Sequence, residues 1–575
     1  MNLPVMISMM QPRPWSVRAL VLACALQVAL PADAQTETPD DAPAVVESVV
    51  VEVGDDNAAA GDTALTPAQE LALEAEAAAR DEAAKSAAAS APRPATVQTR
   101  FTLRRISVPR SQYLDPDAVD AVIRQLIGRQ VDLRDLESLT APFNAMYRAR
   151  GITLANVVIR EIDLQRGLVE LGFYEPRIGQ VQARDGVLAP GAVYARRLAL
   201  RPGELADTRR IEARQTRLEL LTGVTTEIAV QQGAGADLLD LFVTPAEPPA
   251  LSFSAAIDNH GSPSFGREQL TVSVSHASLL GQLDPFSASV TLSEGLRSAA
   301  VGYALPISAD GFSVFAAGSL EKSRTVTGPA QTGTAWSAEL GASYPVIVER
   351  TRQLTLRASL QRFGDERRSL GVLTTDQGGT AFLLGASYSR LFEGGGLSYD
   401  QTLQHVRWTD GTLGAGRTTL LGGEGSASAQ ISDDWQVFGR LGWQYALGDN
   451  SPARFRNTLS SPTRVRGYPS GNSAGDSFVF GSLQVQRSTP FVLNDDDVWR
   501  VTAQPFAFVD AGRAYDRAAG TTTAQDPLFS AGVGSVFQIG ANMVAEVSLA
   551  KPLRDANLFL AANAWRADFR LGVRF

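Results

Sequence analysis

At 575 residues, 44% of them hydrophobic and 20% charged, the chain is too long for one ordinary globular core and predicts several domains. No apolar run of about 18 residues or more lies outside the N-terminus, which excludes a bundle of membrane-spanning helices. A net charge of −9 without a basic cluster excludes nucleic acid as a partner.

Residues 1–34 read as a secretory signal. Arg13 and Arg18 supply the basic region, Ala19 to Leu30 the apolar core, and Ala32-Asp33-Ala34 the small-x-small cleavage site. The single cysteine, Cys24, lies in that core, so the exported chain is expected to hold no disulfide, thiol nucleophile or thiolate metal site. Residues 35–99 form an acidic tail, an Ala-rich helix and a linker. From 35 to 90 there are 13 Asp and Glu against two basic residues. Thr66-Pro67-Ala68-Gln69 is a helix start, with Thr as N-cap, Pro at the first helical position and Gln three residues on. The run from 66 to about 90 then predicts a helix of roughly 36 Å.

From Arg100 the texture changes. Phe101 to Val108 alternates as a strand, Asp117 to Gln125 reads as a short helix, and Leu133 to Arg150 as a longer one. Leu136, Leu139, Phe143 and Met146 or Tyr147 fall on one face of that helix, and Gly151 ends it. Ile152 to Arg160 and Leu168 to Tyr174 alternate as strands. The order strand, helix, helix, strand, strand over 100–176 is that of a POTRA domain. Residues 177–249 repeat it, with strands at Ile178–Arg184, Thr225–Gln231 and Asp237–Val243 and Arg-rich helices at Val193–Leu200 and Arg209–Leu221.

Residues 250–575 carry about 16 strand-like runs, which suits a transmembrane β-barrel with strands of ~10 residues. Ala250 to Asn259 is the first. In the last, Trp565, Ala567, Phe569, Leu571, Val573 and Phe575 share one face, and Arg566, Asp568, Arg570, Gly572 and Arg574 the other. Lipid outside and water inside would produce that alternation. A soluble β-sandwich is the other architecture that alternating strands allow.

One stretch inside the barrel region stands apart. Thr463-Arg464-Val465-Arg466-Gly467-Tyr468-Pro469-Ser470-Gly471 lies in a polar segment between two strand-like runs. Further on, Phe508, Asp510 and Gly512 share one face of a strand. A buried Arg needs a carboxylate, and a carboxylate facing a lumen needs a cation. A Val-Arg-Gly-Tyr loop followed by Phe-x-Asp-x-Gly resembles the BamA-type outer-membrane superfamily. Tyr147-Arg-Ala-Arg-Gly151 followed by Gln165-x-Gly167, two POTRA units and the barrel resemble the transporter half of two-partner secretion systems, the ShlB/FhaC/HecB-like transporters.

That resemblance covers 100–575. It implies tandem α+β POTRA domains in the periplasm before a 16-stranded antiparallel barrel, monomeric, in bacterial outer-membrane lipid. It further implies a loop folded into the lumen, with Arg466 paired to Asp510. Phe575 resembles the terminal aromatic that the barrel assembly machinery reads. The implied partner is a secreted TpsA-type exoprotein, exported through the barrel after capture by the POTRA domains. The usual Glu-Gly after the first POTRA domain is Glu175-Pro176 here, a departure that stiffens the joint. A barrel-inserting protein of the BamA or TamA type and, in a different class, a passive porin are the alternatives.

Enzymatic chemistry finds no support. His260, His276 and His405 lie far apart, no zinc spacing, nucleophile elbow or phosphate loop occurs, and no cofactor motif is present. Asp495-Asp496-Asp497 reads as a solvated turn. By the resemblance the helix at 66–90 plugs the barrel; by composition alone it is equally a solvated spacer. Deleting 66–90 should raise single-channel conductance in planar bilayers if the helix plugs the lumen, whereas unchanged conductance would identify a spacer.

Overall fold

The computed structural model describes residues 100–132, 136–411, 414–471, 473–496, 499–518, 521–555 and 564–575. The signal, the acidic tail, the 66–90 helix and Asp497 lie outside the described residues. The chain divides into two compact units, one holding residues 100–177 together with 205–209 and the other the rest of the described chain.

In the first unit, the run expected as one strand from Phe101 to Val108 is two pieces. Phe101–Thr102 pairs with Gln130–Val131, and Arg105–Ser107 runs parallel to Leu168–Glu170. The break falls at Gly167, whose carbonyl takes the N–H groups of both Arg104 and Arg105 at 2.8 and 3.2 Å. The helices are α1, Pro116–Leu126, capped by the Asp115 carboxylate, and α2, Leu136–Ala149. Strands Asn156–Asp163 and Leu168–Tyr174 pair antiparallel and complete a three-stranded sheet. Phe143, Tyr147, Leu139 and Ile152 pack against Leu103, Val169 and Leu171 as a closed core.

Glu175 ends this domain with a structural task. Its carboxylate takes the Tyr147 hydroxyl at 2.6 Å, the Gln112 N–H at 2.7 Å, and the Ser111 hydroxyl. Burial, then the bond to Glu175, raises the Tyr147 pKa above its ordinary value. Burial and the charges of Asp207 and Glu175 push Tyr113 up to about 12.

The second unit opens with strand Arg177–Ala183, helix α3, Gly191–Leu198, helix α4, Thr208–Thr222, and strands Thr225–Gln232 and Leu238–Ala246. The last of these is the centre of a three-stranded sheet. The Arg-rich faces of α3 and α4 have partners in the barrel's turns. Arg197, buried, donates to the carbonyls of Ser308 at 2.9 Å and Gln282 at 3.2 Å. Arg214 pairs with Asp310 at 2.8 Å, and Glu219 with Arg350 at 2.6 Å.

The barrel itself is closed, with sixteen wall strands. They are β1 Leu251–Asp258, β2 Gln269–His276, β3 Phe286–Leu292, β4 Leu296–Pro306, β5 Ser313–Arg324, β6 Gln331–Glu349, β7 Arg352–Ser369 and β8 Val372–Phe392. Then come β9 Gly395–Asp410, β10 Gly414–Ser432, β11 Trp435–Gly448, β12 Ser477–Arg487, β13 Val501–Ala518, β14 Leu528–Ile539, β15 Met543–Pro552 and β16 Arg566–Arg574. Short pieces at Phe491–Asn494 and Thr521–Ala524 extend β12 and β14 beyond Pro490 and Pro527, where the missing N–H interrupts the ladder. Strands β6, β7, β8 and β10 run to 18–21 residues, well past the length expected from the sequence. Outward-facing residues such as Leu340, Leu360, Leu441, Val509 and Val533 are apolar and exposed, as a lipid-facing band requires. Among the described residues, no helix is long and apolar enough to cross a membrane.

The abundance of glycine has a local cause in the wall. Gly364, Gly379, Gly442, Gly532 and Gly534 each stand directly opposite an aromatic residue: Trp336, Phe363, Phe480, Phe508 and Phe506. A Cβ at any of them would come within 2.3–2.6 Å of the facing ring. The ring therefore lies flat over the glycine, a cross-strand pairing that also shields the exposed backbone.

β1 and β16 close the ring with five residue pairs, against eight between β1 and β2. Beyond β1 the Asn259 side chain continues the ladder: its amide donates to the Ala567 carbonyl and its oxygen takes the Phe569 N–H, both at 2.9 Å. Phe575 is exposed, and its backbone exchanges hydrogen bonds with Phe253.

Glu175→Ala takes the 2.6 Å acceptor from the buried Tyr147 hydroxyl, leaves it Ser111 Oγ at 3.3 Å, and should cost about 1–3 kcal/mol. Limited proteolysis of the full chain should then cut within 100–175 sooner. Because the folded-state pKa of Tyr147 is raised, its neutral form stabilises the fold fully below about pH 10, the unfolded value, and that contribution is lost as pH rises beyond it. Protease resistance of this region should fall above that pH, and less steeply in Tyr147→Phe.

Candidate functional site

Between β11 and β12 the chain turns inward as a loop from Asp449 to Asp476. Its neck is closed by Asp476, whose carboxylate takes the N–H groups of Ser451 at 2.7 Å and Arg517 at 2.8 Å. Further in, the loop pairs with itself: Asn457–Thr458 lies against Ala474–Gly475, and the Leu459 N–H meets the Ser473 carbonyl at 2.7 Å. Leu459, Val465 and Tyr468 are buried against Phe478, Phe480, Ala514 and Leu528 of the wall. Gly512 makes room for this packing, since a Cβ there would stand 3.0 Å from the Leu459 methyls.

Arg466 and Asp510 are brought together. Arg466 Nε donates to Asp510 Oδ2 at 2.8 Å, Nη2 to Oδ1 at 2.9 Å, and the Arg466 backbone N–H to Oδ2 at 3.0 Å. Nη1 reaches Gln484 Oε1 at 2.9 Å and Nη2 reaches Ser482 Oγ at 3.1 Å, both on β12. The guanidinium also lies over the Phe508 ring, Cζ 3.3 Å from its centre. Phe508 can present that face because Gly532 lies beneath it on β14. Arg466 is 9% exposed and Asp510 2%, so the pair is withdrawn from water and makes two-point, charge-assisted bonds.

Gly467 has φ +85°, and a Cβ would also crowd Ala550 at 3.1 Å, so both conformation and space call for glycine. The turn it makes delivers Tyr468, whose hydroxyl is 2.8 Å from the carbonyls of Phe529 and Arg554 and accepts the Phe529 N–H at 3.1 Å. Val465 is fully buried beside it.

Other residues fix the loop without having been assigned a partner from the sequence. Arg464 donates to the Thr458 carbonyl at 2.7 Å, pairs with Glu424 at 3.5 Å and lies over the Phe478 ring. Ser470 Oγ donates to the His260 carbonyl at 2.7 Å, just past β1. In the other arm, Arg454 Nη2 donates to Ser337 Oγ at 2.8 Å and Ser319 Oγ at 3.3 Å, while the Phe455 ring meets Phe363 edge-on at 5.1 Å. Residues in a polar loop have no periodicity to mark them, and a serine in a strand has no signature as an arginine's partner. Their one signal was the density of Arg and aromatic residues in the loop.

The three histidines stay apart. His405 Nδ1 bonds Thr419 Oγ1 at 3.0 Å, and His276 Nδ1 takes the Ser278 N–H at 3.2 Å. Asp495 pairs with Arg500 at 3.4 Å with its side chain largely exposed.

Arg466→Ala leaves a buried carboxylate unpaired, a loss of about 3–5 kcal/mol in a dry interior. Water in a lumen reduces this to about 1–2 kcal/mol. The temperature at which the folded barrel band converts on semi-native gels should fall. Arg466→Lys should recover little of it, because an ammonium cannot make the two-point contact. Combining Arg466→Asp with Asp510→Arg should recover more than either single change.

The sequence profile of the family described as "Haemolysin secretion/activation protein ShlB/FhaC/HecB" matches residues 239–537, more than half of the chain. That of the ShlB-type POTRA domain matches 101–175. The outer membrane transporter CdiB of Escherichia coli is 24% identical over 214 residues, 36% of this chain and 36% of that protein, so the matched segment spans about a third of the relative. In fold, the chain is similar to CdiB from Escherichia coli, with TM-score 0.61 at 18% identity over 84% of this chain and 93% of that one. CdiB from Acinetobacter baumannii gives 0.57 at 14% over 83% and 90%. BamA from Haemophilus ducreyi lacking POTRA domains 1–3 gives 0.54 at 14% over 83% and 100%. The chain belongs to the ShlB/FhaC/HecB family of outer-membrane transporters, with its barrel in the outer membrane and its POTRA region on the periplasmic side.

Proposed function

We propose that this protein exports a TpsA-type exoprotein across the outer membrane, capturing the unfolded chain at its POTRA sheets and passing it through the barrel. The observation that carries the reading is the loop held inside a sixteen-stranded barrel by Arg466 and Asp510, behind POTRA sheets with free edges. A barrel of this size leaves an aqueous interior that wall side chains cannot fill, so a chain can pass once the loop yields.

Capture has a physical basis in the sheets. Strands Asn156–Asp163 and Thr225–Gln232 are edge strands within their sheets, and an unfolded polypeptide can add to such an edge through main-chain bonds. Folding of the exported chain outside would bias the direction without any catalyst. In this reading outer-membrane lipid surrounds a single barrel, and the exposed Phe575 at the end of β16 is the feature offered to the barrel assembly machinery. The likeness to BamA extends to the fold, and the family profile favours export over barrel insertion. A passive porin would use neither the POTRA sheets nor the anchored loop.

Co-expression with a candidate exoprotein bearing an N-terminal secretion domain tests this. The exoprotein should reach the medium, and deleting 100–175 should abolish its release while leaving a heat-modifiable barrel in the outer membrane. Release that survives the deletion would remove the first POTRA domain from the mechanism.

A further inference from the structure

The lipid-facing wall of the barrel carries a group of cations where its apolar band stops. Arg350, in the turn between β6 and β7, pairs with Glu219 of α4, so that turn lies at the periplasmic end and the opposite strand ends lie at the outer leaflet. Along β7 the outward positions from Leu354 to Leu360 are uncharged, with Leu356 and Leu360 exposed, and the next outward position is Arg362. Arg362 is the eleventh residue of the strand, and about 9–11 residues carry a strand across the hydrocarbon. The neighbouring strands continue the row. Thr380 on β8 stands opposite Arg362, Arg407 on β9 opposite Thr380, and Arg417 on β10 opposite Arg407. Phe382, Leu403 and Leu421, exposed on the same outward face, form the apolar band beneath them.

Arg407 and Arg417 are thus a like-charged cross-strand pair, an arrangement that repels. It recurs nearby, where Arg297 on β4 stands opposite Lys322 on β5, beyond the exposed Val301 and Leu320. All five basic residues are exposed. Among the described residues, none of the five has an ion-pair or hydrogen-bond partner for its charged group. The carboxylates of these strands are placed elsewhere. Asp365 and Asp410 face the lumen and are buried. Glu366 and Asp376, outward on β7 and β8, stand opposite each other four residues beyond Arg362 and Thr380, and Glu366 pairs with Arg368 at 2.8 Å. Asp449 takes the Arg417 backbone N–H at 2.9 Å rather than its guanidinium.

We propose that this face binds a phosphorylated glycolipid of the outer leaflet, with Arg407 and Arg417 sharing one phosphate. A phosphate between two facing guanidinium groups turns their repulsion into charge-assisted contacts, and its oxygens suit planar two-point donors. The Thr380 hydroxyl and Arg362 extend the row toward a second phosphate, about 10 Å away at two strand spacings. The acyl chains of the same lipid lie along Phe382, Leu403 and Leu421. Cations above and apolar side chains below match a headgroup whose phosphates sit at the hydrocarbon boundary. A soluble phosphate would use only the upper half of that surface, and inner-leaflet phospholipids meet the other end of the strands.

Native mass spectrometry of the full chain, delipidated in detergent, tests this with three probes: diphosphorylated lipid A, the same lipid dephosphorylated, and phosphatidylglycerol. Lipid A should bind, and the other two should bind roughly tenfold more weakly. Arg407→Gln with Arg417→Gln should weaken lipid A binding by a similar factor. Arg390→Gln, an exposed outward residue near the periplasmic end of β8, should leave it unchanged. The temperature at which the folded barrel band converts on semi-native gels separates binding from structure. Without added lipid the double variant should convert at the wild-type temperature or above it, because a repulsion has been removed. With lipid A, only the wild type should shift upward. Equal binding of either other probe, undiminished lipid A binding by the double variant, or an equal loss in Arg390→Gln would overturn the site. So would a double variant that converts earlier than the wild type in the absence of lipid. Release of an exoprotein plays no part in these measurements.

Discussion

A carboxylate set into the wall of a membrane barrel needs a cation brought to it, and the architecture around Asp510 is arranged to supply one. The cation arrives on a loop, so pairing the charges also draws some two dozen residues of polar chain into the lumen. Three features of the wall make the contact possible. Phe508 provides a flat face, Gly532 lets that face lie against the strand, and Gly512 leaves room for Leu459 of the loop. Remove the pairing and the remaining loop contacts have to hold a charged segment against its hydration.

The same chemistry recurs wherever separate parts of the chain must be held together. Only three of the 52 basic residues are lysines, Lys85, Lys322 and Lys551. Guanidinium groups serve as the connectors: Arg197 on the carbonyls of barrel turns, Arg464 between a carbonyl, a carboxylate and a ring, and Arg454 on two hydroxyls. A planar group with five donors can satisfy neutral and charged acceptors together, which a point charge cannot do as well. The Arg-rich helix α4, which looks poorly amphipathic as an isolated helix, makes sense together with α3 as a surface that grips turns.

Much of this was legible in the sequence, and the parts that were not share a cause. Alternation marked the terminal strand because lipid and lumen impose opposite chemistry on successive residues. The pairing of Arg466 with Asp510 was legible through the resemblance alone, since the loop and the strand motif follow each other in the order that the BamA-type superfamily shows. The long strands β6 to β10 were not, since stretches such as Gly378-Gly379 look like turns until an aromatic ring on the neighbouring strand is seen to cover them. Nor could the break near Gly167 be read from a run that alternates without interruption from Phe101 to Val108. It arises from two N–H groups sharing one carbonyl, a contact between residues more than sixty apart. Arg454 and Phe455 escaped for a similar reason: what defines them is the far wall, on β5 to β7, and nothing local records it.

The way the Arg466 pair is satisfied also bears on what can travel beside it. Both oxygens of Asp510 are taken by the guanidinium and the loop backbone, and the outer face of that guanidinium is spent on Phe508, Ser482 and Gln484. Seen from the lumen, this stretch of wall is a closed, neutral unit with few unused donors or acceptors. A passing polypeptide of either charge would find little there to bind, so the strongest fixing point in the barrel would also be among its least adhesive.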